Sequence, residues 1–313
     1  MSSLDRVDPA TWNQHLAHAE ELGFFKVAAA PSGPVGERGA MVRDWVAKGY
    51  AADMHWFGKG LEKRLDPSLI MPDVASVIVF SALYQKEACT LAGKKLARYA
   101  CGDDYHDLLL KQLRTWCARF KTVHPGAETR PYVDTGPVLE RHWAEQSGLG
   151  WIGKNGNLIE REAGSYLFLA AVLTNLKVPY GEEHDNFCGT CRACIDACPT
   201  AAIVSDGVVD SRKCISYLNI EHRGPFATGT PDFEDWLFGC DICQEVCPWV
   251  HKFSRVPQLE GLRPREDYGA LNEDDLAEME QDVFSRVFRK SPIKRTKLAG
   301  LKRNLRHLLG LGG

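Results

Sequence analysis

The sequence predicts a mixed α/β (α+β) protein with three parts, namely an N-terminal α/β domain, a small cysteine-rich domain and a short helical C-terminus with a basic end. Three observations support this prediction. Apolar runs alternate with amphipathic segments over the first part of the chain. Eight of the eleven cysteines lie between Cys188 and Cys247, and the stretch from Val283 to Gly313 carries nine Lys or Arg residues and no Asp or Glu. We therefore expect parts at residues 1–180, 181–262 and 263–313.

Hydrophobic periodicity predicts the elements in chain order. Apolar residues at helical spacing indicate helices over residues 12–22, 41–48, 105–120 and 138–148. Two apolar runs rich in β-branched residues predict buried strands over residues 76–84 and 165–174. A linker over 257–268 and two short helices, the first acidic and the second basic, are expected to follow the cysteines.

The cysteine spacing predicts metal clusters. The order is Cys188-x2-Cys191-x2-Cys194-x3-Cys198-Pro199, then Cys214, then Cys240-x2-Cys243-x3-Cys247-Pro248. This run is typical of the two [4Fe–4S] clusters of bacterial ferredoxins, where the fourth cysteine of a run binds the other cluster. We therefore assign Cys188, Cys191, Cys194 and Cys247 to one cluster and Cys198, Cys214, Cys240 and Cys243 to the other, in a ferredoxin-like domain.

Two alternatives for these cysteines are structural zinc and disulfides. A structural zinc site is complete with four ligands, and it would not require a third Cys at the same two-residue spacing or a Pro after each run. Disulfides need an oxidising compartment. The remaining cysteines, Cys89, Cys101 and Cys117, have no ligand spacing and are predicted to be ordinary buried thiols.

Composition indicates a cytoplasmic protein that does more than carry electrons. A chain of 313 residues with 44% hydrophobic content can bury a core much larger than a two-cluster ferredoxin needs. The N-terminus has no apolar signal region, and the longest apolar runs are too short to span a membrane. The basic end predicts a phosphate-binding surface, with a solvated charged helix as the alternative.

Two motifs in the N-terminal part suggest chemistry. Asp53-x-His55-x-x-Gly58 has the pattern by which some cobalamin enzymes bind cobalt through a protein histidine. Because it lacks the strand-and-glycine context of those enzymes, we expect His55 to be a loop residue. Asp134, in a Thr-Gly-Pro turn, is either a turn residue or a buried acid on a pocket floor, whose burial would raise its pKa and keep its proton for donation.

Four further segments carry a family resemblance: ARYACGDDYH (97–106), VDTGPVLERHWAEQSGLGWIGKN (133–155), SYLNIEHRGP (216–225) and GCDICQEVCPW (239–249). Together with the cysteine runs, they resemble the epoxyqueuosine reductases, cobalamin and iron–sulfur enzymes of tRNA modification. The resemblance extends over nearly the whole chain.

The resemblance implies reduction of the epoxide of epoxyqueuosine, at the wobble position of a tRNA anticodon, to queuosine. It implies reduced cobalamin, held base-off without a protein histidine on cobalt and supplied with electrons by two [4Fe–4S] clusters. An external one-electron donor would reduce the clusters, and Asp134 matches the family's proton donor. We expect a monomer without membrane contact.

The resemblance also implies ligand contacts. Those to cobalamin are Phe57, Ala97, Asp134, Lys154, Asn155, Asn157, Leu158, Ser216 and Gln244, although Lys154, Asn155 and Asn157 could instead cap the turn after Gly153. Those to tRNA are His222, Arg223, Arg295, Lys297, Arg303 and Arg306, although His222 and Arg223 could form a structural ion pair. A reductive dehalogenase or a pure electron-transfer protein are the alternative classes.

Overall fold

The computed structural model describes residues 6–84, 86–253 and 255–311. Its strands are β1 (Lys26–Pro31), β2 (Ser76–Leu83), β3 (Cys89–Leu91), β4 (Lys94–Leu96), β5 (Thr129–Tyr132), β6 (Trp151–Ile152), β7 (Leu158–Ile159), β8 (Leu167–Thr174), β9 (Ile203–Ser205), β10 (Val208–Val209) and β11 (Trp236–Phe238). Its α-helices are α1 (Pro9–Glu21), α2 (Glu37–Ala47), α3 (His55–Lys59), α4 (Leu61–Leu65), α5 (Tyr105–Val123), α6 (Glu140–Gln146), α7 (Ala193–Asp196), α8 (Ile215–Ile220), α9 (Ile242–Glu245), α10 (Pro248–Phe253), α11 (Glu273–Glu278), α12 (Gln281–Val287) and α13 (Lys297–Leu308). Short 3-10 helices cover Pro67–Leu69, Arg98–Ala100, Glu260–Leu262, Glu266–Ala270 and Pro292–Thr296.

An antiparallel sheet with the order β1-β2-β8-β5 forms the centre of the N-terminal part. Every residue of β2 is buried, because the sheet is covered on both faces. Ile78 and Phe80 point into a core shared with α1 and α5, whereas Val77 and Val79 point into a core shared with α6. This alternation follows from the two-residue period of a strand. Each such side chain contributes roughly 1.5–3 kcal/mol through burial.

Helix α5 confirms its predicted amphipathic pattern. Leu109, Leu113, Trp116 and Phe120 are buried on one face. The helix begins after Asp104, whose side chain accepts a hydrogen bond from the backbone N–H of His106 and so satisfies one of the unpaired donors of the first turn. The first turn of α5 is therefore fixed both by its cap and by the packing of the helix on the sheet.

The other predicted elements of the N-terminal part are confirmed within a few residues, and so is the mixed α/β class. The helices expected at 12–22, 41–48 and 138–148 are α1, α2 and α6, and the strands expected at 76–84 and 165–174 are β2 and β8. The acidic and basic C-terminal helices are α11 and α13, with α12 between them. Among the described residues, no helix is both long and apolar enough to cross a bilayer.

A small second sheet joins distant parts of the chain. Its order is β11-β4-β3, and β11 pairs in parallel with β4, so that Trp236 lies opposite Lys95. The hairpin β3–β4 also packs on the C-terminal helices, in a core that contains Leu91, Phe288 and Leu301. The segment with the cysteines is thus attached to the N-terminal part through backbone hydrogen bonds.

The prediction that Cys89 and Cys101 are ordinary thiols is wrong, because the structure joins them in a disulfide. Cys89 begins β3, and Cys101 follows the 3-10 helix after β4, so the hairpin returns the chain to within 6.1 Å between the two Cα atoms. This separation lies within the range that a disulfide bridges. Cys117 is a buried thiol as predicted, and burial raises its pKa to about 11.

Candidate active site

A cavity of about 510 Å³ lies between the N-terminal sheet and the cysteine loops. One wall comes from α5, the loop after β5 and the start of β8, and it includes Tyr105, Asp134 and Phe168. The opposite wall comes from the cysteine loops. A cavity of this size, lined by apolar groups with a few polar groups between them, is typical of a binding site for a small molecule or a cofactor.

The structure brings the eight cysteines together in two groups of four, with the same membership as in the sequence assignment. Cys198, Cys214, Cys240 and Cys243 line the large cavity. Cys188, Cys191, Cys194 and Cys247 line a separate space of about 40 Å³ beside Trp249 and Phe187. Cys191 is exposed, so the second group lies nearer the protein surface.

The donor chemistry of the cysteine groups fits iron–sulfur clusters. Burial raises the pKa of Cys240 to about 12, although a backbone hydrogen bond from Ile242 lowers it. Iron in a cluster is a cationic partner that would stabilise several thiolates at such a buried position.

Asp134 faces the large cavity from the loop that follows β5. Its φ of 55° lies in the left-handed region, which Asp tolerates better than most residues, so the turn does use an aspartate for its conformation. Its side chain is 61% exposed. Its carboxylate accepts hydrogen bonds from the Tyr105 hydroxyl at 2.7 Å and from His106 Nε2 at 3.1 Å, both on Oδ2.

The expected pKa of Asp134 is wrong in direction. Partial burial does raise the pKa of this carboxyl, but the hydrogen bonds from His106 and Tyr105 and the charge of Arg141 outweigh it and lower the pKa below the ordinary value. Because its pKa lies below 3.8, Asp134 is ionised at neutral pH.

Two titratable neighbours were missed by the sequence analysis. His106 also contacts Asp104, with 2.7 Å between Nδ1 and Oδ1. Burial lowers the pKa of His106, yet the hydrogen bonds to Asp104 and Asp134 raise it to about 9. Glu140 begins α6 and lines the cavity, and burial together with the charge of Asp134 raises its pKa to about 8. The Asp104-x-His106 pair at a helix start was the available signal for the histidine.

A second cavity of about 370 Å³ lies on the other side of Asp134, Glu140 and Arg141, which line both spaces. It is lined by aromatic side chains that include Trp45, Trp56 and Phe57. The guanidinium of Arg64 lies 4.7 Å from the centre of the Phe57 ring.

The large cavity also contains several of the predicted polar contacts, which are Asn155, Asn157, Ser216 and Gln244, together with Leu158. The Gln244 side-chain oxygen accepts hydrogen bonds from the hydroxyls of Tyr84 at 3.2 Å and Ser165 at 3.0 Å. These two hydrogen bonds fix the orientation of the amide. Asn155 does bind its own turn, through the backbone N–H of Asn157 at 3.1 Å.

Two of the predicted cobalamin contacts, Lys154 and Ala97, lie outside the lining of both large cavities. Lys154 lines the small cysteine space and is 3.5 Å from Asp206. Ala97 is buried and outside the lining of both large cavities, packed so tightly on Gly239 that an added Cβ there would come within 2.3 Å of it. His55 is the exposed first residue of α3, so the expectation of a loop residue is wrong. It too is absent from the lining of both cavities.

Four of the predicted tRNA-binding residues, which are His222, Arg223, Arg295 and Arg303, lie together at the loop after α8. Arg295 makes a two-point ion pair with Glu221 at 2.8 Å, and its backbone oxygen accepts a hydrogen bond from Arg223. Arg303 donates to the backbone oxygens of His222 at 2.9 Å and of Gly224 at 3.0 Å. Lys297 and Arg306 are exposed at the surface. Arg303 therefore holds the loop, whereas the two exposed residues present charge to solvent.

His222 is joined to the segment around Asp53. Its Nδ1 lies 3.6 Å from Asp53 Oδ2, and the same carboxylate accepts the Tyr217 hydroxyl at 2.9 Å. Asp53 thus connects the loop after α8 to the segment before α3. His222 therefore has a structural contact with a carboxylate, whereas Arg223 donates to the backbone oxygens of Ile220, His222 and Arg295.

Comparison with known families agrees with this arrangement. A family model described as a 4Fe-4S double cluster binding domain matches residues 187–250, which contain all eight clustered cysteines. A second model, described as epoxyqueuosine reductase QueG, DUF1730, matches residues 64–135.

Relatives resemble nearly the whole chain. The epoxyqueuosine reductase of Cellulophaga algicola is 41% identical over 294 residues, which cover 92% of this chain and 95% of that protein. That of Gloeobacter violaceus is 39% identical and covers 96% of each chain. A crystal structure of epoxyqueuosine reductase with an epoxyqueuosine-modified tRNA-Tyr stem loop matches with a TM-score of 0.87 and 25% identity, over 96% of this chain and 81% of that chain. A catabolic reductive dehalogenase, NpRdhA, shares the fold at a TM-score of 0.51 and 18% identity, over 97% of this chain and 38% of that chain.

Proposed function

This chain belongs to the epoxyqueuosine reductase family of oxidoreductases and contains a double [4Fe–4S] cluster binding domain, and from this we propose that it reduces epoxyqueuosine in tRNA to queuosine with the help of cobalamin. One observation carries the proposal. The large cavity has four cysteines on one wall and Asp134 with its hydrogen-bond donors on the other. Electrons and protons can thus reach one ligand from opposite sides.

Cobalamin fits the residues that line the two cavities. Its corrin ring is broad, largely apolar and edged with amides, and the large cavity has apolar walls together with the side chains of Asn157, Ser216 and Gln244. The aromatic second cavity offers room for the nucleotide tail of a base-off cofactor. When bound and reduced, cobalamin supplies a strong cobalt nucleophile that gathers the two electrons the clusters deliver singly.

Removal of an epoxide oxygen requires protons as well as electrons. The oxygen leaves as water when the alkene forms, which consumes two electrons and two protons. Asp134 faces the cavity, so we assign it the delivery of a proton to that oxygen. Glu140 lines the same wall, and since burial raises its pKa to about 8, it is a neutral acid at pH 7 that can donate a hydrogen bond or the second proton.

The basic region near the loop after α8 supports binding of the tRNA backbone. Lys297 and Arg306 are exposed on α13, and contacts from such residues to phosphates position a nucleic acid without reading its sequence. We propose that His222, Arg223 and Arg295 complete this surface, and that Arg303 contributes mainly by holding the loop. A splayed anticodon base can enter the cavity at modest cost because it is single-stranded. An external one-electron donor and a monomeric chain complete the proposal.

The decisive experiment is a turnover assay. Anaerobically prepared protein, loaded with its clusters and with cobalamin, is incubated with a reductant and epoxyqueuosine-containing tRNA, and the nucleosides are analysed by mass. We expect a nucleoside lighter by one oxygen atom, and none without cobalamin. A halogenated phenol in place of the tRNA tests the dehalogenase alternative. Halide release without nucleoside conversion would overturn the proposal.

A further inference from the structure

His106 lies between two carboxylates at the edge of the cavity. Its Nδ1 is 2.7 Å from Asp104 Oδ1, and its Nε2 is 3.1 Å from Asp134 Oδ2. Each ring nitrogen thus has an acidic partner, and only a protonated imidazole can donate to both at once. Asp134 is the one of the two that also lines the cavity.

The local structure holds the imidazole in this position. The Asp104 side chain caps α5 by accepting the backbone N–H of His106 at 3.0 Å, with the same oxygen that contacts the ring. The ring stacks on Tyr105 at 4.0 Å between centroids, and Tyr105 in turn stacks on Phe168 of β8 at 4.1 Å. The histidine is fixed by a helix cap on one side and by the central sheet on the other.

Asp134 needs such a neighbour in order to act as an acid. Its Oδ2 accepts hydrogen bonds from both Tyr105 and His106, which stabilise the ionised carboxylate. An ionised carboxylate has no proton to give. Of its two donors, a protonated imidazole releases a proton far more readily than a tyrosine hydroxyl does.

We propose that His106, held by Asp104, is the positioning residue that supplies the proton Asp134 passes to the departing epoxide oxygen. This inference rests on the proposed function. Nε2 of His106 first gives its proton to Oδ2 of Asp134, and the carboxyl gives that same proton to the departing oxygen as the carbon–oxygen bond breaks. Asp134 returns to its ionised state, and His106 becomes neutral with Nδ1–H still bonded to Asp104. Water then restores the proton on Nε2, and no electron passes through the histidine.

The surrounding charges support a stored proton at this position. Asp104 and Asp134 interact directly with the ring and raise the pKa of His106 to about 9 against the effect of burial. The charged or titratable groups around Asp134 itself are Tyr99, Tyr105, Arg64, Glu140, Arg141 and Arg295. Lys290 meets this turn through its backbone oxygen, which accepts the N–H of Asp104 at 2.7 Å.

The first test is a titration that requires no turnover. In cluster-loaded protein with ¹⁵N-labelled histidine, NMR should show His106 protonated at neutral pH and titrating near 9. Asp104→Asn keeps a residue that caps helices well but removes the charge, so the titration should move down towards the ordinary value of about 6.5. Asp107→Asn makes the same change at an exposed position of the same helix turn and should leave the titration in place. A neutral His106 at pH 7 in the wild type overturns the inference.

The second test is the pH dependence of single turnover. Wild-type activity should persist through neutral pH and fall as pH rises through about 9, because the proton on His106 is then lost. In His106→Gln the amide still donates to Asp134 but carries no proton to give, so activity should fall at least tenfold at pH 7.5 and recover as pH is lowered. Asp104→Asn should move the basic limb downward, which provides the same test if the glutamine variant does not fold.

The outcomes separate this inference from the proposed function. If the wild type makes queuosine and His106→Gln has the same rate and pH profile, His106 has no part in proton supply. If the wild type makes no queuosine although His106 titrates near 9, the proposed function fails, and the role of the histidine in that reaction fails with it.

Discussion

The two walls of the large cavity differ in how their chemistry is assembled. The cysteines of the first wall belong to runs with short, regular spacings, in which Cys240 and Cys243 are separated by two residues and Cys198 ends the run that begins at Cys188. The acid wall joins Asp134 to Tyr105 and His106, which lie 29 and 28 residues away along the chain. The cysteines of the proposed electron path can therefore be recognised from sequence spacing, whereas the groups of the proposed proton path come together only in the folded sheet and α5.

Loss of a ligand on the cysteine wall should have the largest effect. Cys214→Ala should lower the iron content by about half and abolish turnover, because one of two clusters loses a ligand. The acid wall should be unaffected, so His106 should titrate as in the wild type. Iron analysis and NMR measure the two effects. Cys117→Ala removes a buried cysteine outside both groups and should retain all the iron. Full iron content in Cys214→Ala would contradict the assignment of this ligand.

Loss of the acid should have the next largest effect and the opposite pattern. Asp134→Asn should lower turnover by about 10²–10⁴-fold, the usual contribution of a general acid or base, while iron and cobalamin contents stay unchanged. Single-turnover kinetics and metal analysis measure this. Asp107→Asn is the matched control, since it removes a carboxylate that lies on the surface of α5. A variant with wild-type turnover would remove Asp134 from the reaction.

The raised pKa of Glu140, unlike the lowered pKa of Asp134 on the same wall, should make the folded protein less stable as pH rises. Its pKa is raised from 4.5 to about 8, mainly by burial, so the folded protein binds a proton that the unfolded chain releases. The stabilisation is complete below about 4.5 and is lost as pH rises through about 8. The melting temperature of the wild type should therefore fall relative to that of Glu140→Gln over this range. Parallel melting curves at every pH would mean that Glu140 is not held neutral.

The smallest effect is expected outside the cavity. Replacement of Lys297 and Arg306 by Gln should weaken tRNA binding and reduce the slope of log affinity against log salt by about 1 for each lost phosphate contact. Binding titrations at several salt concentrations measure this slope. Lys121→Gln, near the far end of α5, is the control; the rise of a helix puts it roughly 24 Å along the axis from Tyr105. An unchanged slope would identify the basic end as a solvated helix.

The features that could be predicted from the sequence are those that depend on short-range patterns of residues. The period of β2 and β8 and the buried face of α5 depend on neighbouring residues, and so do the cysteine spacings. The sequence did not predict the Cys89–Cys101 disulfide, because the hairpin that brings these residues together is only a few residues long on each strand. It gave the wrong direction for the pKa of Asp134, because hydrogen bonds from residues far away in the chain outweigh burial there. Glu140 could not be singled out from the sequence either, because its burial depends on tertiary packing.

The parallel pairing of β11 with β4 has a consequence for how this protein is made. Lys95 and Trp236 come together only after most of the chain between them has been synthesised, and contacts so distant in sequence form late because a long loop must be closed first. The cysteine loops thus acquire their final position relative to the N-terminal sheet near the end of folding. We therefore expect insertion of the clusters to be coupled to the last folding step. In the segment 181–262 produced alone, β11 would lack its partner strand β4.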